Sequence, residues 1–119
     1  MLAGAGAVGT LARFGLSSIL TRLFGAVFPY GTLTANILGC FAFGLLWALV
    51  REREIVTPET GMILMVGFLG AFTTFSAFAN EGAMFIKNGQ WGMVLGYVLL
   101  SNILGLGCVF GGSWLARWV

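Results

Sequence analysis

Charged side chains are scarce in this chain. Only 8% of its 119 residues are charged, 59% are hydrophobic, and the mean hydropathy is +0.99. A water-soluble domain of this length needs a far more charged surface, so the composition indicates an integral membrane protein. No stretch is left over for a soluble domain or a long linker, so residues 1–119 are predicted to form a single membrane domain. The net charge of +2 comes from very few charged side chains, and it indicates no nucleic-acid partner.

Histidine is absent, and cysteine occurs only as Cys40 and Cys108, each inside an apolar run. Two isolated thiols without histidine co-ligands do not make a metal site, and packing residues are the better interpretation. The spans also lack the side chains for a nucleophile–base pair or a pair of carboxylates. We therefore predict that the protein is not an enzyme.

Charges and turn residues divide the chain into four apolar segments, each long enough to cross a bilayer core. The spans are predicted at approximately residues 2–24, 31–50, 60–83 and 91–116. The most polar loop, residues 51–59, precedes the third span. Thr57 or Thr60 is predicted to cap that helix, with Pro58 near its first turn.

Loop charges give only a weak preference for one orientation in the membrane. Four spans put both termini on one side together with Arg51, Arg53 and Arg117, whereas Arg22 and Lys87 lie on the other. Lys and Arg in short loops set the orientation, so this small difference permits insertion in both directions and an antiparallel dimer. Four short spans also enclose little space, and a pore is expected to need two copies.

The third segment contains an unusual stretch, residues 67–78, with two glycines, three hydroxyl side chains and four phenylalanines but no charge. In one interpretation the backbone stays helical and the hydroxyls bond their own carbonyls. In the interpretation that we favour, Gly67 and Gly70 let the helix break. A break inside a membrane requires that the freed groups are buried in protein or face water, and such breaks form ion sites. The stretch therefore favours an ion-handling role.

Polar side chains inside the spans leave two interpretations each. Arg13 either faces a cavity or snorkels to the membrane interface. Glu81 either lines a vestibule or is an ordinary interfacial charge. Asn36 could donate to an anion or join two helices, and its spacing alone favours the helix contact. Ser101 and Asn102 allow the same two interpretations.

Phe75 and Phe78 lie three residues apart and share a helical face. Such a pair usually serves packing, but an aromatic ring has a positive edge that can face a small anion. A fixed cation would bind an anion too tightly, whereas conduction needs sites that the ion can leave.

Three motifs together resemble the Fluc family of fluoride channels, which is also called CrcB. They occur in the family's order, and the resemblance extends over essentially the whole chain. The motifs are Gly9-Thr-Leu-Ala-Arg13-Phe, Gly31-Thr-Leu-Thr-Ala-Asn36-Ile-Leu-Gly39 and Gly67-Phe-Leu-Gly-Ala-Phe-Thr-Thr-Phe-Ser-Ala-Phe78. The third motif is the most specific.

The resemblance implies an all-α membrane protein with four transmembrane helices per chain, the third of them broken. It implies that two chains form an antiparallel, dual-topology homodimer. It also implies a structural sodium ion on the two-fold axis of this dimer. The main-chain carbonyls of Gly70 and Thr73 from both subunits would bind the sodium ion.

The same resemblance assigns the fluoride pathway by position to Asn36, Phe75, Ser76 and Phe78. Arg13 and Glu81 match vestibule positions. The chain departs from the family pattern at Ala77 and Ala79, where hydroxyl residues are common. Two hydroxyls are therefore missing from the polar side of the implied path.

The implied function is passive, fluoride-selective export across a prokaryotic plasma membrane. One alternative is a dual-topology, proton-coupled small multidrug exporter, which would need a carboxylate deep in its pocket, typically in the first helix. Here the first segment contains Arg13 and no carboxylate. The other alternative is a non-transporting membrane scaffold subunit, which has no use for Arg13 and Asn36 facing water.

Overall fold

The computed structural model describes all residues from Met1 to Val119, and every regular element in it is helical. Four stretches are long and apolar enough to cross a membrane, which confirms the prediction of an all-α membrane protein. The third of these stretches consists of several shorter helices. In chain order the elements are α1 (Leu2–Phe24), α2 (Tyr30–Arg51), α3 (Pro58–Met62), a π-helical segment (Ile63–Leu69), α4 (Gly70–Phe72), α5 (Phe75–Lys87) and α6 (Trp91–Ala116).

The second and fourth spans, α2 and α6, cross with their backbones in contact. Gly44 has no room for a methyl group because the carbonyl of Val109 lies against it, and Gly112 lies in the same way against the carbonyl of Phe41. The Ser113 hydroxyl donates to the Gly44 carbonyl across this crossing at 3.1 Å. Close approach at small residues drives helix association in a membrane, where lipid tails are as apolar as side chains. These two helices form the frame of the molecule.

The first span, α1, packs against residues 63–72 of the third span, which are the π-helical segment and α4. Gly9 is buried there because a Cβ would meet the carbonyl of Phe68, and a Cβ on Gly67 would lie 2.9 Å from that of Ala5. Ala5 and Gly9 lie four residues apart on one helical face. They bring the α1 backbone close to the segment that precedes the interruption of the third span.

The third span begins as the sequence predicts. Thr57 is the N-cap of α3, and its hydroxyl accepts a hydrogen bond from the Thr60 N–H at 3.3 Å. Pro58 occupies the first turn, where its missing N–H removes no helical hydrogen bond.

The interruption of the third span lies at Thr73 and Thr74. Gly67 is within the π-helical segment and Gly70 is helical, with φ −60° and ψ −32°. The prediction that the two glycines break the helix is therefore wrong in its position. Both threonines are extended, with ψ 161° at Thr73 and with φ −154° and ψ 119° at Thr74. Threonine is β-branched and favours extended backbone, and the Thr74 hydroxyl caps α5 by accepting from the Ala77 N–H at 3.2 Å.

Candidate ion-binding site

The interruption deprives the main-chain carbonyls of residues 70–73 of their helical partners. In an unbroken α-helix the N–H of residue i+4 donates to the carbonyl of residue i. Here the Thr74 N–H donates to Asn36 Oδ1 at 2.8 Å, and the Ala77 N–H donates to Thr74 Oγ1. The carbonyls that lose these donors belong to Gly70 and Thr73. That of Thr73 accepts no hydrogen bond within the chain.

Neighbouring carbonyls are occupied by other donors. The Leu69 carbonyl accepts from both the N–H and the hydroxyl of Thr73, at 2.9 and 3.0 Å. The Ala71 carbonyl accepts from Arg13 Nε at 3.2 Å. This pattern leaves the oxygens of Gly70, Phe72 and Thr73 without a donor, and Phe72 is a buried residue. Gly70 and Thr73 are the two that the family resemblance assigns to a cation.

Two bared carbonyl oxygens suit a small, hard cation. Carbonyls at interrupted helix ends coordinate Na⁺ in membrane proteins, because the negative end of the helix dipole lies there. Gly70 is exposed on the surface of the protomer, so the rest of the chain does not cover it. The Thr73 hydroxyl is engaged as a donor to Leu69, which leaves the carbonyl as the free group of this residue. The residues present therefore fit the sodium ion that the family resemblance implies.

Asn36 stabilises the interruption from the second span. Its Nδ2 donates to the Thr74 carbonyl at 3.0 Å, while its Oδ1 accepts from the N–H of the same residue. The sequence left two interpretations of Asn36, a contact between helices and donation to an anion. The contact between helices is present within the chain. The amide nitrogen has a second N–H, which remains for another acceptor. Donation to an anion stays a prediction for that second N–H.

A groove of about 500 Å³ lies beside the interruption and reaches Asn36. No charged side chain lines it, and its polar lining consists of Asn36, Thr73, Thr74, Ser101 and Asn102. The Ser101 hydroxyl is buried without a hydrogen-bond partner. The sequence leaves two interpretations for this serine and does not assign it to the site, although a polar group inside an apolar helix is a signal for one. Uncharged donors of this kind can bind an ion without retaining it.

Phe75 and Phe78 form one wall of this groove at the start of α5. Their ring centroids are 5.8 Å apart and their planes are inclined by 42°. Phe75 is 79% exposed in the single chain, whereas Phe78 packs edge-to-face against Tyr97 at a centroid distance of 5.0 Å. Ser76 is exposed and lies outside the groove, and its hydroxyl is 3.3 Å from that of Thr74.

Glu81 lies in a hydrogen-bonded cluster with residues of α2 and α6. Its carboxylate accepts from the Thr32 hydroxyl at 2.7 Å and from the Tyr97 hydroxyl at 2.6 Å. Tyr97 is fully buried and is not among the predicted site residues, although its hydroxyl is a polar group within an apolar span. Glu81 also borders a second cavity of about 330 Å³ near the loops that follow α1 and α5. Arg13, by contrast, lies at the interruption, where it contacts Ala71.

Comparison with known proteins agrees with the three sequence motifs. A family model described as "CrcB-like protein, Camphor Resistance (CrcB)" matches residues 1–113. The protein of Nitrosococcus oceani named fluoride-specific ion channel FluC is 49% identical over 111 residues, which cover 93% of this chain and 89% of that protein. A protein of the same name from Desulforapulum autotrophicum is 45% identical over 116 residues, which cover 98% of this chain and 93% of that protein.

A third relative, from Maridesulfovibrio salexigens, has the same name and is 41% identical over 116 residues. The match covers 98% of this chain and 92% of that protein. The family model and the three relatives each match nearly the whole chain, and they confirm the resemblance seen in the motifs. The chain belongs to the CrcB family.

Proposed function

We propose that this multi-pass membrane protein is a fluoride-selective channel and not an enzyme. Its family membership supports this, because the three relatives described above are named fluoride-specific ion channels. The structural observation that carries the proposal is the uncharged groove. In it an amide, several hydroxyls and two phenylalanine rings line one space beside the interrupted helix.

The groove offers the kind of contacts that a small anion needs in place of water. Fluoride is strongly hydrated, so hydrogen-bond donors must replace its water molecules. The second amide N–H of Asn36 and the unpartnered hydroxyl of Ser101 are such donors. The positive edges of Phe75 and Phe78 add weak attraction without a fixed charge. Ser76 joins the path only in an assembly that brings its exposed hydroxyl to the groove.

The proposed channel is an antiparallel, dual-topology homodimer with a structural sodium ion at its centre. A single chain offers such an ion the carbonyls of Gly70 and Thr73 and leaves the groove open on one side. A second copy related by a two-fold axis would double the set to four oxygens and cover the groove. The exposure of Gly70 and Phe75 supports a contact between copies on this face.

Fluoride export through such a channel requires no coupling to another ion. An inside-negative potential drives anions outward by about 2.3 kcal/mol per charge per 100 mV. This driving force exists at the plasma membrane of a prokaryotic cell, which is the location that we assign. The cavity beside Glu81 is the proposed vestibule at one membrane face, and Arg13 is the proposed vestibule residue deeper in the span.

Reconstitution into liposomes tests the function against its two rivals. Fluoride efflux that depolarises the vesicles is the expected result for a channel. Proton-coupled uptake of an organic cation would instead indicate a multidrug exporter, although α1 contains no carboxylate for that purpose. If neither flux is seen in vesicles that contain folded protein, the result supports the scaffold alternative and the channel proposal fails.

A further inference from the structure

Arg13 lies near the middle of α1, where a charge in a membrane is costly unless it is matched. Its Nε donates to the Ala71 carbonyl at 3.2 Å, in the last turn before the interruption. One turn earlier in α1, Gly9 lies so close to the Phe68 carbonyl that a methyl group does not fit. The first span therefore contacts the carbonyl end of α4 and the preceding turn at two consecutive points.

The contact of Arg13 decides which oxygens are left for a cation. Four successive carbonyls lie at the end of α4, those of residues 70–73, and none of them has its helical donor. The guanidinium occupies that of Ala71, whereas those of Gly70 and Thr73 accept no hydrogen bond within the chain. The Ala71 oxygen is thus withheld from a cation by its hydrogen bond to Arg13.

We propose that Arg13 is a positioning residue of the cation site. It keeps the Ala71 oxygen out of the coordination sphere and fixes the end of α4, so that the Gly70 and Thr73 oxygens keep their spacing. This inference rests on the sodium site of the proposed function. Selectivity among cations depends on ligand number, cavity size and flexibility, so fixing both number and spacing favours the small sodium ion over potassium.

The experiment measures thermal unfolding of the purified protein that has been kept in sodium-free buffer throughout. Sodium is expected to raise the unfolding temperature of the wild type more than potassium at equal concentration. In Arg13→Gln the half-saturating sodium concentration is expected to rise about tenfold, which corresponds to about 1.4 kcal/mol. The preference for sodium over potassium is expected to shrink as well.

Arg22→Gln is the matched control, because this exposed arginine belongs to the same helix and is far from the interruption. It is expected to leave the half-saturating sodium concentration and the preference for sodium over potassium unchanged. Arg13→Lys keeps one charged donor for a single carbonyl, and it is expected to retain the preference for sodium.

The outcomes separate this inference from the sodium site itself. If the wild type shows no sodium-specific stabilisation, the sodium site is wrong and the role of Arg13 fails with it. If the wild type responds but Arg13→Gln responds equally, the sodium site stands and the role of Arg13 is wrong. Should Arg13→Gln fail to fold, Arg13→Lys decides: a folded variant without the sodium preference overturns the inference.

Discussion

Asn36 illustrates at the residue scale how one side chain combines a structural contact with a proposed transport role. Its amide donates to the carbonyl and accepts from the N–H of Thr74, and it uses one of its two N–H groups to do so. A carboxylate could still accept from the N–H, but it could not donate to the carbonyl. The two roles of Asn36 can therefore be tested with a single substitution.

Asn36→Asp is expected to lower fluoride flux in liposomes by more than about tenfold. The substitution places a negative charge next to the Thr74 carbonyl and in the path of an anion, and an unmatched buried polar group alone costs about 1–3 kcal/mol. Asn102→Asp is the control for charge in the groove, because Asn102 lines the same groove and donates only to Val98 of its own helix. Equal loss of flux in both variants would contradict a specific role for Asn36.

Phe75 and Phe78 are expected to contribute through their rings and not through their hydrophobicity. Replacing both with isoleucine should reduce fluoride flux by at least about tenfold, since the positive ring edges that attract the anion are lost. The dimer, measured by size-exclusion chromatography, should persist, because isoleucine keeps an apolar side chain at each position.

Phe110→Ile is the matched control for the phenylalanine variants. Phe110 is 74% exposed on α6, close to the 79% of Phe75 in the single chain, and it does not line the groove. Full flux in the Phe75 and Phe78 double variant would remove these rings from the pathway.

Motifs in the sequence pointed to the candidate residues but not to the contacts between them. The spacing of Asn36 favoured a contact between helices, and such a contact is present. Its partner is a main-chain group of Thr74, which no side-chain pattern indicates. Tyr97 was not predicted because its importance arises from burial and from its distance to Glu81, both set by the packing of α5 against α6.

The third span, at the scale of helices, shows why a glycine-rich motif was a poor guide to the point of interruption. Glycine permits many conformations but does not impose one. The conformation at residues 73 and 74 is imposed by three contacts: the Thr74 cap, the amide of Asn36 and the space opposite Gly39. Two of these contacts come from α2, and a prediction from residues 67–78 alone could not include them.

Gly39→Ala tests how far the second span shapes the interruption. A Cβ at Gly39 would occupy the place of the Thr73 Cγ2 atom, so the threonine would have to move. Overpacking of this kind typically costs about 1–3 kcal/mol, which should appear as a lower free energy of unfolding in detergent.

The control for Gly39→Ala is Gly107→Ala in α6, where nothing lies within 4 Å of the added methyl group. That variant is expected to be neutral or slightly stabilising, because alanine favours a helix by up to about 1 kcal/mol over glycine. Equal stability of the two variants would show that the interruption tolerates displacement of Thr73.

At the scale of the whole molecule, the frame formed by α2 and α6 leaves the groove on an open face. Phe75 and Gly70 lie there, on a surface that the rest of the chain does not cover. Composition was sufficient to predict an all-α membrane protein with four spans, because hydropathy alone specifies membrane helices. The face that contacts another copy depends on how the helices pack, and this packing cannot be read from a single sequence.

Dual topology predicts that a reporter at the C-terminus is found on both sides of the membrane in similar amounts. Adding lysines to the loop at residues 51–54 should force one orientation and abolish fluoride flux, since only parallel pairs could form. Flux should return when that variant is co-expressed with one that carries the added lysines beside Lys87. Undiminished flux from copies of a single orientation would contradict the antiparallel dimer.

The bared Thr73 oxygen also bears on the fate of a newly inserted chain. An unmatched main-chain group in hydrocarbon costs several kcal/mol, so a solitary copy is strained until this oxygen finds a ligand. Solitary copies should then be short-lived and be cleared by membrane proteolysis. The number of working channels would rise with the square of the synthesis rate at low abundance, which makes a small increase in expression unusually effective.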